Sequence, residues 1–437
     1  MTKWNYQIVD ADEIPAVFAK AFYLASHGRP GPVLLEITKD AQLAYLRHAA
    51  GKFTKHQDLS SQYMLDPKQI QEAASLLNQA NKPYLLIGHG VLIANAEQVL
   101  LLFAEKFGAP VACTLLGLSA YPMDHPLYVG MLGMHGNYAA NKLTNEADVI
   151  LAIGMRFDDR VTGNLSTYAK QAKVIHIDID PAEINKNVHA DVALIGDAKM
   201  ALQQLLPHVH TKNNQQWNDN SKGYYTQEYF QVIEKELAAT TKNIKMAEVI
   251  HQLSEKSNGQ AVLVTDVGQH QMIAARYYKF KNNNSHITSG GLGTMGFALP
   301  AAIGAKLAAM HREVIVVVGD GGFQMNIQEL AVISQEKLAI KIILLNNNFL
   351  GMVRQWQELF FAKRYSFTEL KNPDFVMIAQ GYGIAAKRVV NRCELAMALD
   401  DLLSTPTACL LEVVVEKQEN VFPMMTVGSS VSDMRLS

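Results

Sequence analysis

The chain has 437 residues, of which 49% are hydrophobic and 18% charged, and its formal net charge is −2 at pH 7. This composition is typical of a globular protein, and the length predicts two or three domains. The near-neutral charge gives no electrostatic reason to expect nucleic acid or an anionic membrane as a partner. No apolar run approaches the roughly 18 residues that a membrane helix needs.

The polar, acidic start of the sequence indicates neither a signal peptide nor a transit peptide. The three cysteines, Cys113, Cys393 and Cys409, are far apart and odd in number. This usage predicts reduced, mostly buried thiols in a cytoplasmic protein. The cysteines and histidines show no paired spacing for zinc.

Residues 1–46 predict one helix and one strand. An amphipathic pattern over residues 13–26 is followed by a glycine- and proline-rich turn at 28–32 and an apolar strand at 33–37. One helix and one strand cannot bury a core of their own. We therefore expect the end of a domain whose front part is not in this sequence, followed by a polar stretch from 47 to 66.

Residues 60–210 alternate strand and helix patterns, which predicts a doubly wound parallel sheet. Its strands are predicted at 84–88, 110–114, 149–154 and 174–178. Asp180, Pro181 and Glu183 match the N-cap, N1 and N3 positions of a capping box, so a helix is expected to begin there. Asp178, at the strand end, is the better candidate for a ribose or ribityl contact. The polar run within residues 206–243 indicates a linker.

A second α/β domain is predicted over residues 240–420, followed by an irregular tail at 421–437. Its strands at 314–318 and 340–345 flank a helix predicted over 324–337. Asp320 follows the first strand and Asn347 the second, 27 residues later in the sequence. Because parallel strands bind ligands at their carboxyl ends, these oxygen ligands predict a Mg²⁺ site, with neighbouring glycines that let a diphosphate approach. The alternative is a glycine turn and an asparagine turn without a ligand.

A second glycine-rich segment, residues 291–296, matches the G-x-G-x-x-G pattern of dinucleotide-binding proteins. That pattern should follow a hydrophobic strand, and here the preceding residues 281–286 are polar, so we do not interpret it as a dinucleotide site. Within it, core packing is the alternative for Met295. His270 follows an apolar run at 262–265, and a histidine in such a place is by itself more often a packing or loop residue than a ligand.

The Gly-Asp-Gly and Asn-Asn motifs resemble the thiamine-diphosphate signature. Together with residues 131–136, 156–163 and 351–357, they make nearly the whole chain resemble the catalytic large subunit of the acetolactate synthase (acetohydroxyacid synthase) family. The resemblance implies two doubly wound α/β domains: a central FAD-binding domain and a domain that binds the diphosphate of thiamine diphosphate. It also implies that residues 1–46 are the remnant of a pyrimidine-binding domain.

In this family, thiamine diphosphate, Mg²⁺ and FAD support the condensation of two pyruvates, or of pyruvate and 2-ketobutyrate, with loss of CO₂. This begins branched-chain amino-acid biosynthesis. The resemblance assigns FAD contacts to Arg29, Gly88, Thr114, Leu115, Leu132, Gly133, Met134, His135, Gly154, Arg156, Asp158, Val161, Asp178, Ile179 and Asp197.

Thiamine-diphosphate contacts are implied for Gly268, Gln269, His270, Gly293, Met295, Asp320, Gly321, Gly322, Asn347, Phe349, Gly351 and Met352. Asp320, Asn347 and the carbonyl of Phe349 would hold Mg²⁺. Catalytic roles fall to Arg160, which would bind the substrate carboxylate, to Met352 and Trp356 beside the acceptor, and to Met295, which would prop the cofactor in its bent shape. Core packing is the alternative for Met352 and Trp356.

The resemblance also leaves a gap, because no residue of this sequence corresponds to the glutamate that activates the aminopyrimidine. We therefore expect little activity from these 437 residues alone, and a homodimer or higher homo-oligomer, with a possible regulatory small subunit, as the assembly. Two alternatives stay open: a non-catalytic remnant or half of a split enzyme, and a related enzyme such as pyruvate oxidase or glyoxylate carboligase. Trp356 and Arg160, in their motifs, argue against the related enzymes.

Overall fold

The computed structural model describes residues 2–47, 65–239 and 243–437. Most of the predicted polar stretch at 47–66 lies outside these residues. Within the part of the chain that is described, no helix is both long and apolar enough to cross a membrane.

The N-terminal segment is a small β-α-β unit. Strands β1 (Trp4–Ile8) and β2 (Val33–Ile37) pair in parallel and are joined by α1 (Ile14–Ser26), and α2 (Lys39–Leu43) follows. Large apolar side chains remain at its surface, with Phe22 74% exposed and Leu34 59% exposed. The segment therefore has little core of its own, as expected from its size, but the prediction of one helix and one strand missed β1 and α2.

The central domain is a six-stranded parallel sheet in the order β5-β4-β3-β6-β7-β8, which confirms the predicted doubly wound fold. Its strands are β3 (Pro83–Ile87), β4 (Val111–Cys113), β5 (Tyr128–Met131), β6 (Val149–Ile153), β7 (Lys173–Asp178) and β8 (Val192–Ile195). Its helices are α3 (Pro67–Gln79), α4 (Gly90–Ile93), α5 (Glu97–Phe107), α6 (Tyr138–Thr144), α7 (Asp159–Thr162) and α8 (Ala198–Leu205). The strand order reverses between β3 and β6, where such sheets bind ligands.

The helix expected from Asp180 does not form. The Asp180 carboxylate accepts a hydrogen bond from the Ala182 N–H at 3.0 Å, as a cap would, but only turns follow. Asn185 has a φ of 60°, so the backbone leaves the helical region after one turn. Asp180 and Glu183 instead form ion pairs with Arg29 at 3.2 and 2.6 Å.

The segment predicted as a linker is largely helical. It contains α9 (Gln215–Glu228), a π-helical turn (Tyr229–Ile233) and α10 (Glu234–Leu237). The mostly polar α9 buries Trp217, whose indole N–H donates to the Pro83 carbonyl at 2.8 Å. Trp217 thus helps to fix this helix to the central domain.

The C-terminal domain is a second six-stranded parallel sheet, in the order β10-β9-β11-β12-β14-β13. Its strands are β9 (Val262–Thr265), β10 (His286–Thr288), β11 (Val314–Gly319), β12 (Ile340–Asn346), β13 (Ala385–Val389) and β14 (Cys409–Val414). Its helices are α11 (Met246–Lys256), α12 (Gln269–Tyr277), α13 (Ala298–Ala308), α14 (Asp320–Met325), α15 (Leu330–Gln335), α16 (Gly351–Phe360), α17 (Phe375–Gly381) and α18 (Arg392–Ser404). Three apolar strands, β9, β11 and β12, form its buried centre.

The helix predicted over 324–337 begins earlier and is interrupted. α14 starts at Asp320 itself, directly after β11, and a 3₁₀ turn (Ile327–Glu329) separates it from α15. Asn326 leaves the helical region, and its side-chain amide donates to the Gly296 carbonyl at 2.8 Å. The break ties this crossover to the glycine-rich segment 291–296.

The tail is partly ordered by the central domain. Two short strands, β15 (Met424–Met425) and β16 (Met434–Arg435), pair antiparallel. The Met425 N–H donates to the Met134 carbonyl at 2.7 Å. The chain therefore returns from the second sheet to cover a loop of the first.

Candidate functional site

A cavity of about 860 Å³ lies where the central domain, the C-terminal domain and the loop before β2 meet. At its floor, Gly88 follows β3 and Gly154 follows β6, at the reversal of strand order. A Cβ atom on Gly88 would lie 2.1 Å from the Gly154 carbonyl oxygen, so the two backbones can meet only without side chains. Because neither glycine carries a side chain, the space at the ends of β3 and β6 stays free as part of the cavity.

All but one of the residues predicted to contact FAD lie on the wall of this cavity. They are Arg29, Gly88, Thr114, Leu115, Leu132, Met134, His135, Gly154, Arg156, Asp158, Val161, Asp178, Ile179 and Asp197. The exception is Gly133, which is absent from the wall. Its φ is 102°, and its backbone N–H and carbonyl both bond to the Asn141 side chain, at 3.0 and 2.8 Å. Gly133 therefore shapes the loop that carries its neighbours.

Acidic residues share the wall of this cavity with Arg29: Asp178, Glu183 and Asp197. Burial raises the pKa of Asp178 to about 6, despite the hydrogen bond of 2.8 Å that its carboxylate accepts from the Asp180 N–H. A buried carboxylate is costly without donors. Hydroxyl groups of a ligand would supply them here.

The four charges at 156–160 lie at the cavity wall with loose pairings. Arg156 and Asp158 are 3.5 Å apart, and Arg160 and Asp159 are 3.8 Å apart. The Arg160 side chain is 66% exposed, so this pair contributes little to stability. Its guanidinium can reorient towards an anionic ligand without breaking a strong contact.

His135 is buried, and its Nδ1 atom has no hydrogen-bond partner. Burial, together with the positive charges of Arg276 and Arg160, lowers the pKa of His135 to about 3. The ring is therefore neutral near neutral pH. His135 lines the large cavity, but its Nδ1 atom is itself inaccessible, so a ligand in the cavity would contact other atoms of this residue.

A smaller pocket, of about 50 Å³, lies at the carboxyl ends of β9, β11 and β12. It is lined by all but one of the residues predicted to contact thiamine diphosphate: Gly268, Gln269, His270, Met295, Asp320, Gly321, Gly322, Asn347, Phe349, Gly351 and Met352. Gly293 lies instead on the large cavity, as do Arg160 and Trp356. Gly268 and Met352 line both, so the two spaces adjoin.

The residues present in the smaller pocket fit a hydrated divalent cation. Asp320 is 2% exposed, and burial raises the pKa of its carboxyl group to about 6, although Asn372 donates to it at 2.7 Å. A cation would compensate this buried charge. The Asn347 side-chain oxygen accepts only from the Phe349 N–H among the described contacts, at 3.1 Å. Among the described residues there is no group of three or more His, Cys, Asp or Glu arranged for a metal, so amide and carbonyl oxygens would have to complete this set.

Glycines also give this pocket its backbone cradle. A Cβ atom on Gly351 would lie 2.1 Å from the Gln269 side-chain oxygen, and one on Gly321 would lie 2.5 Å from Leu350. Larger residues would fill the space next to Asp320 and Asn347. The pocket is therefore shaped for a ligand that touches backbone, as a diphosphate does.

The structure reveals supporting residues that the sequence did not single out. Asp266 is fully buried and accepts from the Gly296 N–H at 2.8 Å, while its other oxygen lies 2.5 Å from His270 Nε2. Asn372 donates to Asp320 and also lies 3.0 Å from the Asn346 side-chain oxygen. Asp266 ends an apolar strand, which is a usable signal, whereas Asn372 lies in a loop without a pattern.

Comparison with known proteins agrees with this geometry. Two family models match: "Thiamine pyrophosphate enzyme, central domain" over residues 70–205, and "Thiamine pyrophosphate enzyme, C-terminal TPP binding domain" over residues 266–413. The chain is 42% identical to the acetolactate synthase isozyme 2 large subunit of Escherichia coli (strain K12), over 99% of this chain and 77% of that protein. It is 41% identical to the acetolactate synthase large subunit of Lactococcus lactis subsp. lactis (strain IL1403), over 99% and 75%. Identity to acetolactate synthase 1, chloroplastic, of Zea mays is also 41%, over 100% and 70%.

Proposed function

We propose residue roles for this chain from the premise that it belongs to the acetolactate synthase large-subunit family of thiamine-diphosphate enzymes. The reaction of this family joins two molecules of pyruvate into 2-acetolactate and releases one CO₂, in branched-chain amino-acid biosynthesis. Bound thiamine diphosphate supplies the chemistry that removes CO₂ and joins the remaining two-carbon unit to the acceptor. The chain's own residues bind, orient and enclose the reactants.

We place FAD in the large cavity and the diphosphate of thiamine diphosphate in the smaller pocket. The observation that carries this assignment is the shared wall: Gly268 and Met352 line both spaces. A ligand anchored at Asp320 would thus reach the mouth of the large cavity beside Met352. The glycine contacts at the strand ends of both sheets support the same placement.

Asp320, Asn347 and the Phe349 carbonyl are the proposed protein ligands of Mg²⁺, with diphosphate and water completing the shell. Asp320→Asn removes the one carboxylate of this set, so Mg²⁺-dependent binding of thiamine diphosphate should weaken at least about 100-fold. Titration calorimetry measures this. Asp401→Asn, an exposed carboxylate on α18, is the control and should bind as the wild type does. Equal affinities of all three proteins would exclude the proposed ligand.

Two further roles concern shape at the smaller pocket. Met295 is proposed to prop the cofactor in its bent form, supported by its place beside Gly321, whose Cβ position lies 3.6 Å from Met295 Cε. Gln269 and His270 are proposed diphosphate contacts at the start of α12, where backbone N–H groups also favour an anion. The helix dipole adds to this attraction.

Arg160 is the proposed anchor for the carboxylate of the 2-ketoacid acceptor, because a guanidinium can bind a carboxylate through two hydrogen bonds. Trp356 and Met352 would enclose the rest of the acceptor, which includes 2-ketobutyrate as well as pyruvate. Trp356 packs against Phe360 with ring centroids 4.9 Å apart and ring planes tilted by 47°, and this contact supports the position of the indole.

The acceptor assignment can be tested at this wall. Trp356→Leu should change the ratio of 2-aceto-2-hydroxybutyrate to 2-acetolactate by up to about tenfold, since one methyl group is discriminated by direct contact. Product analysis with both acceptors present measures the ratio. Phe361→Leu, at an exposed position directly after the same helix that lines neither space, is the control. An unchanged ratio in Trp356→Leu would remove this residue from the acceptor site.

The assembly and compartment are proposals as well. We propose a homodimer or higher homo-oligomer, with a regulatory small subunit as an additional partner, in the cytoplasm. The exposed apolar side chains of β1, α1 and β2 support association, and three unpaired cysteines support a reducing compartment. Sedimentation at several concentrations tests the first point, and a strictly monomeric chain would contradict it.

A further inference from the structure

One helix connects the two candidate cofactor sites. α12 begins with Gln269 and His270 on the wall of the smaller pocket. Its next residues, Gln271 and Met272, lie on the wall of the large cavity. At its C-terminal end, Arg276 leaves both walls and points into the junction between the domains.

Arg276 is 5% exposed and holds two partners from different parts of the chain. One terminal nitrogen donates to the Glu228 carboxylate at 2.9 Å, and the other donates to the backbone carbonyl of His135 at 2.9 Å. Glu228 belongs to α9, whereas His135 belongs to the cavity loop at residues 131–136. Arg276 therefore joins the C-terminal domain, the helical connection and the central domain at one point.

Glu228 contacts the residues that directly follow the same loop. It is fully buried, and it also accepts from the Asn137 side-chain amide at 3.0 Å and from the Tyr138 N–H at 2.8 Å. The ion pair thus holds residues on both sides of Gly136. Inside the loop, Met134 N–H bonds to the Arg160 carbonyl at 2.7 Å. The ion pair therefore anchors the C-terminal end of the loop, and the middle of the loop contacts the backbone of the proposed substrate arginine.

A buried ion pair contributes little to net stability, because removing two charges from water costs about as much as their attraction returns. Here the Arg276 Nε atom also has no hydrogen-bond partner, which adds a further cost. Because burying the Arg276–Glu228 pair costs free energy without stabilising the fold, we explain the pair by the geometry that it fixes. The pair holds the carbonyl of His135 and the loop that contains it.

We propose that Arg276, paired with Glu228, is a positioning residue that sets the shape of the flavin-facing loop at residues 131–136. This inference rests on the proposed placement of FAD in the large cavity. Loss of the pair should loosen the loop and weaken FAD binding, while the fold of both sheets persists. Because α12 starts at the diphosphate pocket, the same residue ties the two sites into one unit.

The test uses the 437-residue chain and the double variant Glu228→Gln with Arg276→Met. The double variant removes both charges together, so neither is left buried without its partner, and it removes the donor to the His135 carbonyl. Hydrogen–deuterium exchange of a peptide covering 131–138 reports on the loop, and flavin fluorescence quenching reports the dissociation constant of FAD. We expect both exchange and the dissociation constant to rise about tenfold.

The matched control is the double variant Glu412→Gln with Arg388→Met, which also removes both charges of an ion pair that contains a buried glutamate. Arg388 pairs with Glu412 at 2.7 Å, but both residues lie within the C-terminal domain. In this control, the hydrogen–deuterium exchange of residues 131–138 and the affinity for FAD should stay within about twofold of wild type. If the double variant of Glu228 and Arg276 unfolds, Arg276→Lys, which keeps the charge but has one nitrogen for two acceptors, replaces it and should show the same two changes.

The outcomes separate this inference from the function on which it rests. A folded double variant of Glu228 and Arg276 with wild-type exchange at 131–138 and wild-type FAD affinity would overturn the role of Arg276. A wild-type chain that binds no FAD would instead contradict the proposed cavity assignment. In that case the exchange of the loop still decides whether Arg276 positions it.

Discussion

Gly322 shows how a single residue without a side chain can shape the diphosphate pocket. A Cβ atom at this position would lie 2.0 Å from a carboxylate oxygen of Asp266. Asp266 in turn is held by the Gly296 N–H and by His270. The space that glycine leaves is therefore occupied by a buried carboxylate that connects β9, the glycine-rich segment and α12.

Gly322→Ala should accordingly displace Asp266 and destabilise the protein by about 1–3 kcal/mol, the usual cost of overpacking a core. Urea unfolding measures the change. Gly304→Ala, on α13, is the matched control, because no heavy atom lies within 4 Å of the added methyl group. It should stabilise by about 0.5–1 kcal/mol through helix propensity. Two variants with the same stability would show that the close contact with Asp266 does not matter.

Glu419 is a partly buried acid whose pKa depends on folding. Burial, reinforced by the negative charge of Glu236, raises the pKa of Glu419 to about 7, from an ordinary value of 4.5. Lys245 and Glu416 also face it, with opposite effects. Between about pH 4.5 and 7 the folded protein keeps a proton that the unfolded chain releases. Stability from this group is therefore present at low pH and lost as pH rises through 7.

Glu419→Gln should remove that dependence. At pH 8 the variant should be more stable than the wild type by on the order of 1–3 kcal/mol, and at pH 4.5 the two should be nearly equal. Urea unfolding at both pH values measures the difference, with Glu72→Gln, an exposed position on α3, as control. A variant with the same pH profile as the wild type would contradict the raised pKa of Glu419.

Individual site residues were predictable where a strand pattern placed them at a sheet edge. Asp320 and Asn347 end two strongly apolar strands, so their meeting at one pocket follows from parallel pairing. Asn372 could not be found in this way, because its loop has no periodicity and its contact with Asp320 spans 52 residues. Gly133 and Gly293 were assigned to ligands from their motifs alone. The motif does not determine which cavity such a glycine lines, because that depends on how the surrounding side chains pack.

At the scale of elements, α9 is a helix that its polar sequence did not predict. Of its 14 residues only Trp217 and Glu228 are buried, while Tyr225 on the same helix is 56% exposed. The strands were easier to predict from the sequence, because runs of β-branched residues, as in β11 and β12, fit a sheet that is buried on both faces. The helix expected at Asp180 failed because a capping pattern starts a turn but cannot extend it.

The attachment of α9 can be measured directly. Trp217→Ala removes a buried ring and the hydrogen bond to the Pro83 carbonyl, so it should cost about 3–5 kcal/mol of stability. Tyr225→Ala should change stability by less than about 0.5 kcal/mol, since its ring is largely in solvent. Denaturant unfolding compares the two variants. Similar small losses in both would mean that α9 behaves as a loose linker.

At the scale of the whole molecule, the two sheets face each other across the large cavity, and the helical connection and the tail cross between them. The sequence predicted both sheets as doubly wound, and their strand orders confirm this. It could not predict how the domains meet, because contacts such as Arg276 with the His135 carbonyl have no periodic pattern. Recognition of the family implied which ligands lie between the domains.

The most direct test joins this chain to the part of the Escherichia coli large subunit that lies outside the matched 77% of that protein, and assays pyruvate consumption. With thiamine diphosphate, Mg²⁺ and FAD present, we predict one 2-acetolactate and one CO₂ for every two pyruvates. Omitting thiamine diphosphate and Mg²⁺, or introducing Asp320→Asn, should abolish the product. The relative's own domains, joined at the same position, serve as control. If that control is active while this chain forms no 2-acetolactate, the account is contradicted.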